Sequence, residues 1–162
     1  SRESPHREAA DLLAIIIGAS ANSRLYWALV DKGLADDVGA SVMPFDRVGV
    51  FSVQIRCDPP RANEVLAIAC EILKNIYAQG FSTEELAGAQ NKILTSLVVG
   101  GEQSSSRLFP LGMDRLYDLP YRTVAEEVAR YESLSEKDLL ELREECPLRE
   151  FTTVLLGPLE RL

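Results

Sequence analysis

Three times in its second half the chain sets a hydroxyl residue three places ahead of an acid, at the threshold of an apolar run: Ser82 with Glu85, Thr123 with Glu126, and Ser135 with Asp138. In this pattern the hydroxyl accepts from a first-turn backbone N–H and the carboxylate reaches back to the N–H of the hydroxyl residue, so each pair marks a helix start. A chain with three such starts is committed to helices over most of that half. Val65, Ile68, Ala69, Ile72, Leu73 and Ile76 recur at helical spacing ahead of the first pair and stop at Gly80, while Leu86, Ile93, Leu94 and Leu97 form a stripe behind it. Gly100-Gly101 interrupts the pattern, and Ser104 to Tyr117 resumes it with Pro110 inside, which predicts a kink or a new start.

Strand signals are fewer. Asp37 to Met43 and Val48 to Arg56 are alternating runs joined by Pro44-Phe45-Asp46-Arg47, which reads as an antiparallel hairpin. Phe151 to Leu156, closed by Gly157-Pro158, reads as a third strand. Ahead of the hairpin, Leu25, Leu29 and Val30, with Tyr26 and Trp27, predict a helix that Gly33 ends in a left-handed conformation; Val38, Ala40 and Val42 then alternate. The run LLAIIIGA, Leu12 to Ala19, is too short to span a bilayer and reads as a core helix. Few strands with helices in blocks predict an α+β fold, a two-layer sandwich in which helices pack on one face of a mainly antiparallel, mixed sheet. With 162 residues and no linker-like stretch, residues 1–162 are expected to form one domain.

Composition narrows the function. An apolar fraction of 46% with 26% charged residues is that of a soluble globular protein. A net charge of −8 without a basic patch argues against nucleic acid and against an anionic membrane surface. Cys57, Cys70 and Cys146 are odd in number and widely spaced, so they indicate neither a disulfide framework nor a zinc ribbon. Buried free thiols are expected, which tilts the unknown compartment toward the cytoplasm. The chain begins at Ser1, has methionine only at Met43 and Met113, and shows no signal-peptide pattern; it is expected to be a fragment of a longer protein.

No residue set for catalysis, metal or cofactor emerges. A helical zinc hydrolase motif needs two histidines on one face and a glutamate to activate water, and His6 is the one histidine; near a helix start it is expected to be solvated. Ser104-Ser105-Ser106 has no histidine partner and reads as a helix cap. Gly100-Gly101 lacks the Lys-Ser/Thr of a phosphate loop. The adjacent acids Asp36-Asp37, Glu126-Glu127 and Glu144-Glu145 are expected on solvated faces, and Cys57 has no neighbouring base to activate it. SRLYW at Ser23 and SRLFP at Ser106 share a pattern without a fixed period, which reads as chance.

Taken in order, the landmarks resemble the non-catalytic C-terminal homology domain of the insulinase/pitrilysin zinc metallopeptidases, which include the mitochondrial processing peptidases. They run through Gly18-Ala19-Ser20, Ser23-Arg24-Leu25, Gly33-Leu34-Ala35, Val38-Gly39-Ala40-Ser41, then Asp46, Gly49 and Phe51, then Gly80 and Ser82-Thr83-Glu84-Glu85-Leu86. They continue through Ser106-Arg107, Leu111-Gly112, Leu116-Tyr117, Pro120-Tyr121-Arg122 and Leu134 to Leu139, and close at Gly157-Pro158. The resemblance implies a sheet with helices on one side, a companion catalytic-type domain or subunit that carries the zinc and HxxEH, and a chamber closing on an unfolded peptide. It also implies a first strand ahead of the opening helix, which this chain does not show. A homo-oligomer is compatible with it. The other outcome it allows is a structural or interaction subunit without proteolytic activity. Many family members carry an arginine in the second helix and a tyrosine after Gly-Leu-Ala that bind substrate backbone. Here those places fall on Leu29 or Val30 and on Asp36, so no substrate site is carried over and the stretch is expected to be scaffold.

Overall fold

A computed structural model of the chain describes residues 1–146, 148 and 150–158, with the side chains of 143–145 left aside. Helix α1 spans Arg7–Gly18; a short π-helical segment, Tyr26–Val30, leads into strands β1 (Asp37–Pro44) and β2 (Gly49–Arg56). A 3-10 turn at Pro59–Arg61 precedes α2 (Ala62–Gln79), and α3 (Thr83–Gly101), α4 (Ser104–Leu116), α5 (Val124–Ser133) and α6 (Glu136–Glu145) follow. This is the expected α+β class.

The three helix starts form as the spacing predicts. Glu85, Glu126 and Asp138 each accept the N-cap backbone N–H of Ser82, Thr123 and Ser135, at 2.7, 2.7 and 2.8 Å. Gly33 and Gly80 take positive φ of 67° and 77°, which glycine adopts without strain, and they close the segments before them. β1 and β2 pair antiparallel from Asp37 opposite Arg56 to Pro44 opposite Gly49. The turn closes with the Phe45 N–H donating to the Val48 carbonyl at 2.9 Å.

Alternation puts Val38, Ala40 and Val42 with Phe51, Val53 and Ile55 on the helix-covered face of this sheet. The other face carries Asp37, Gly39, Ser41, Ser52, Gln54 and Arg56, with Met43 and Val50 toward the hairpin end, and among the described residues no helix covers it. α1 lies between two cores. Ala10, Leu13 and Ile17 join the cluster under the sheet with Leu25, Leu29, Val65 and Leu73. Ala9, Leu12 and Ile16 join a second cluster with Phe81, Leu86, Tyr131 and Leu139. A helix buried on both sides is apolar nearly all round, and this is the reason for the LLAIIIGA run. At its end α1 touches β1 so closely that a Cβ on Gly18 would stand 2.6 Å from the Ala40 backbone nitrogen.

One expectation is refined and two are corrected. The helix predicted over Leu25–Val30 is wound as a π-helix, with the Asp31 N–H donating to the Tyr26 carbonyl at 3.0 Å; apolar spacing over so short a run does not distinguish the two pitches. Phe151 to Leu156 is not a strand: these residues are exposed and pair with no neighbour among the described residues, and alternation within a segment does not supply the partner its backbone needs. Ser104-Ser105-Ser106 is not the cap of α4 but its first turn, and Gln103 stands at the N-cap without a side-chain cap bond.

Candidate substrate-facing surface

The stretch from Ser23 to Ser41 is the place where a family-type substrate contact would lie, and its apolar side chains other than Trp27 are turned inward. Ser23 is buried, donates to the Ala19 carbonyl at 2.7 Å and accepts the Tyr26 N–H at 3.2 Å, tying the π segment to the end of α1. Leu25 and Leu29 are fully buried. The Leu29 carbonyl accepts the N–H of both Leu34 and Ala35, at 2.8 and 3.2 Å. Val30 packs half-buried against the same core. Asp36 is exposed, and its N–H donates to the Arg56 carbonyl at 2.8 Å. Of the aromatic pair, Trp27 is 53% exposed and stands edge-on to Tyr26, with ring centroids 5.3 Å apart. Trp27 and Asp36 face solvent, as do Asp31, Lys32, Asp37 and Ser41, and none of them reproduces an arginine fork.

The two Ser-Arg-Leu segments, which share no period, turn out to share a role. Arg24 donates through Nε and Nη2 to the two Glu85 oxygens at 2.6 and 2.8 Å, and again to the Gly80 carbonyl at 2.9 Å. Arg107 donates to Glu127 at 3.2 Å and to the Arg122 carbonyl at 3.0 Å. Each arginine therefore clamps the start of a later helix, holding a first-turn glutamate and a carbonyl just ahead of the cap. The signal in the sequence was the capping pair downstream of each Ser-Arg-Leu. Glu127 is accordingly half-buried in an ion pair and not on a solvated face, because the Arg107 side chain reaches it from α4. Glu126 does stay exposed, and its bonds to the Thr123 backbone and hydroxyl hold its carboxyl below the usual range.

The Arg24 fork, with the Ser82 cap, likewise depresses the Glu85 carboxyl against the opposing effect of burial. A carboxyl depressed in the folded state contributes stability above its unfolded pKa and loses it as pH falls through the folded value. Glu85→Gln keeps the cap acceptor and removes the charge. It is expected to lower stability by about 1 kcal/mol at neutral pH, discounted for partial exposure, and to converge with the parent chain in acid. Urea titrations across that pH range check this; a difference independent of pH would show that the ion pair is not its source.

A second buried group went unread in the sequence. Glu8, 7% exposed, receives Arg130 at 2.9 Å and Arg122 at 3.6 Å, and the Tyr131 hydroxyl donates to Asp11 at 2.9 Å, fastening α5 to α1. Burial raises the Asp11 carboxyl, a shift that the Tyr131 bond opposes, and burial with the nearby Asp11 raises the Tyr131 phenol. His6 stands half-buried at the start of α1 rather than solvated, because the residues before it fold back over the hairpin tip. It borders a cavity of about 450 Å³ with Arg7 and Arg47. Those cationic neighbours do not fit a zinc site, and among the described residues no three His, Cys, Asp or Glu side chains gather to hold a metal. Cys57, Cys70 and Cys146 are half-buried free thiols, the last with its pKa raised by burial. Asp37 is exposed like Asp36, and the Glu144 and Glu145 side chains lie outside the described ones. Among the described residues no helix is long and apolar enough to cross a membrane.

A family model described as the peptidase M16 inactive domain matches residues 1–93. An uncharacterized zinc protease of Mycobacterium tuberculosis is 27% identical over 154 residues, which cover 94% of this chain and 35% of that protein. One from Streptomyces coelicolor is 26% identical over 161 residues, 99% of this chain and 35% of that protein. The chain thus spans about a third of the length of the curated relatives it matches. Among solved structures, a peptidase M16 inactive domain from Pseudomonas fluorescens superposes with a TM-score of 0.78 at 18% identity, over 90% of this chain and 34% of that one. A protease from Helicobacter pylori gives 0.78 at 19% identity, over 88% and 35%. At such identity these two establish the fold.

Proposed function

Because this chain belongs to the peptidase M16 inactive-domain family, we propose that it is the non-catalytic wall of a peptide-enclosing chamber, working with a companion domain that carries the zinc. The observation that carries this reading is the uncovered sheet face. Asp37, Ser41, Ser52, Gln54 and Arg56 stand on the side of the hairpin away from every helix. This face, polar apart from the exposed Met43 and Val50 at the hairpin end, lies beside strand edges unpaired among the described residues and offers an extended peptide backbone donors and acceptors. Among the described residues no three His, Cys, Asp or Glu side chains gather as a zinc ligand set, and this reading gives water activation and bond cleavage to the companion.

The isolated chain is expected to hold far less than one zinc after dialysis, read by elemental analysis. In the parent protein, loss of residues 1–162 is expected to leave zinc bound while abolishing cleavage of an unstructured peptide. Cleavage at the full rate without this domain would overturn the chamber-wall reading. The wall alone binds weakly, since Val30 donates nothing and Asp36 opposes carbonyl oxygens. Calorimetry of this chain with a neutral unstructured peptide is expected to give a millimolar dissociation constant, about −4 kcal/mol, and submicromolar binding lost on changing Val30 would refute it.

A further inference from the structure

We propose that the pocket between α3 and the loop ahead of the π segment takes a short peptide with free ends, about three residues long, its ammonium group at Glu84 and its carboxylate at Lys92. The pocket, of about 460 Å³, is floored by Ile15 and Ala89, walled by Trp27, and lined on its α3 side by Glu84, Gly88 and Lys92. These last three follow one another at four-residue intervals, so they share one helix face. Glu84 and Lys92 are therefore two turns apart, about 12 Å along the axis, too far to pair with each other. Among the described residues neither is in an ion pair. Lys92 Nζ donates to the Ala21 carbonyl at 2.7 Å, which leaves two of its three donors for a ligand. The other lining carboxylate, Glu85, is committed to Arg24 and to the Ser82 N–H.

The layout of these charges selects the occupant. Between them the pocket is open, because a Cβ built on Gly88 meets nothing within 4 Å. A ligand that matches this lining has a cation at one end, an anion at the other, and an apolar side chain between them to set against Trp27 and Ile15. A free-ended peptide of three residues has that order and spans about 10 Å. A single amino acid is too short to reach both charges, and a long chain cannot bring both of its ends into one pocket of this size. The walls are held in place by the fold itself. The Arg24–Glu85 fork joins the Trp27 segment to the start of α3, and the Lys92–Ala21 bond ties the loop further along the same helix. The pocket lies in the helix layer, on α1 and α3, so the proposal does not rest on the chamber-wall reading of the sheet's outer face.

Trp27 is the one tryptophan of the chain and is half-exposed, so its fluorescence reports occupancy of the pocket directly. Titration with the tripeptide Ala-Leu-Ala is expected to change that emission with a dissociation constant of about 1 mM. Acetylating its amine, or amidating its carboxylate, should each weaken binding about fivefold, the strength of an exposed ion pair. Glu84→Gln should abolish the penalty for acetylation and keep the one for amidation, and Lys92→Gln should do the reverse. A general affinity for peptides would not give this crossed pattern. Gly88→Leu fills the open middle of the pocket and should abolish binding with unchanged helical circular dichroism, since its side chain has room in the folded chain. Equal binding of the free and the doubly blocked tripeptide overturns the proposal. So does loss of the crossed pattern in the two charge variants, or a Trp27 emission that stays constant to about ten times the expected dissociation constant.

Discussion

Gly18→Ala is expected to lower the stability of this chain by about 3 kcal/mol, at the upper end for inserting a methyl group into a packed site. The added Cβ would lie 2.6 Å from the Ala40 nitrogen, 2.7 Å from the Ala40 Cβ and 2.8 Å from the Gly39 carbonyl carbon. Two of those atoms are strand backbone, held in register by β2, so no side chain can swing away. The relief open to the molecule is to lift α1 off the sheet. Because α1 is common to both clusters, that loosens Leu13 and Ile17 on one side and Leu12 and Ile16 on the other. Alanine is otherwise the better helix former, and this sets the control. Gly88, inside α3, has nothing within 4 Å of its built Cβ, so Gly88→Ala should stabilise by about 0.5–1 kcal/mol. Urea unfolding of both variants gives opposite signs if close approach is the cause. Equal stabilisation by the two would show that α1 does not sit against β1 as described.

Leu29→Ala should cost about 2–5 kcal/mol, the range for emptying a closed apolar site. Leu29 is fully buried among Leu25, Ala35, Val38 and Val65, at the point where the π segment turns into β1. Its carbonyl, which receives two N–H groups, keeps the backbone in place, so the cavity cannot collapse by local refolding. The measured loss is in stability, and the weak peptide binding proposed above should be unaffected where the variant remains folded. Trp27→Ala, two residues away and half-exposed, should change stability by about 1 kcal/mol or less. If Leu29→Ala left stability intact, Leu29 would not be the core residue described here, and the scaffold reading of Ser23–Ser41 would fail.

Reading the landmarks as pieces of one family succeeded because several of them are halves of one contact. Arg24 of Ser-Arg-Leu and Glu85 of Thr-Glu-Glu-Leu lie far apart in the chain and meet as a forked ion pair. Ordered motifs can thus report a fold before any single motif is specific. Glu8, Asp11 and Tyr131 carried no such signal. Their charges sit on an otherwise apolar helix and on a helix more than a hundred residues later, and nothing local to either marks them as partners.

What the sequence determined by itself were features whose chemistry a few neighbouring residues complete. The three capping pairs, the glycine stops at Gly33 and Gly80, and the β1–β2 hairpin with its Phe45–Val48 closure are of this kind. Their chemistry is complete in a few consecutive residues. Tertiary structure alone decided the rest. Among the described residues it left Phe151–Leu156 without a partner strand, drew Glu127 out of solvent to Arg107, and left no room for a side chain at Gly18. Each of these depends on a group that chain topology brings from elsewhere, and a pattern along the chain does not record which distant surface arrives, or how closely.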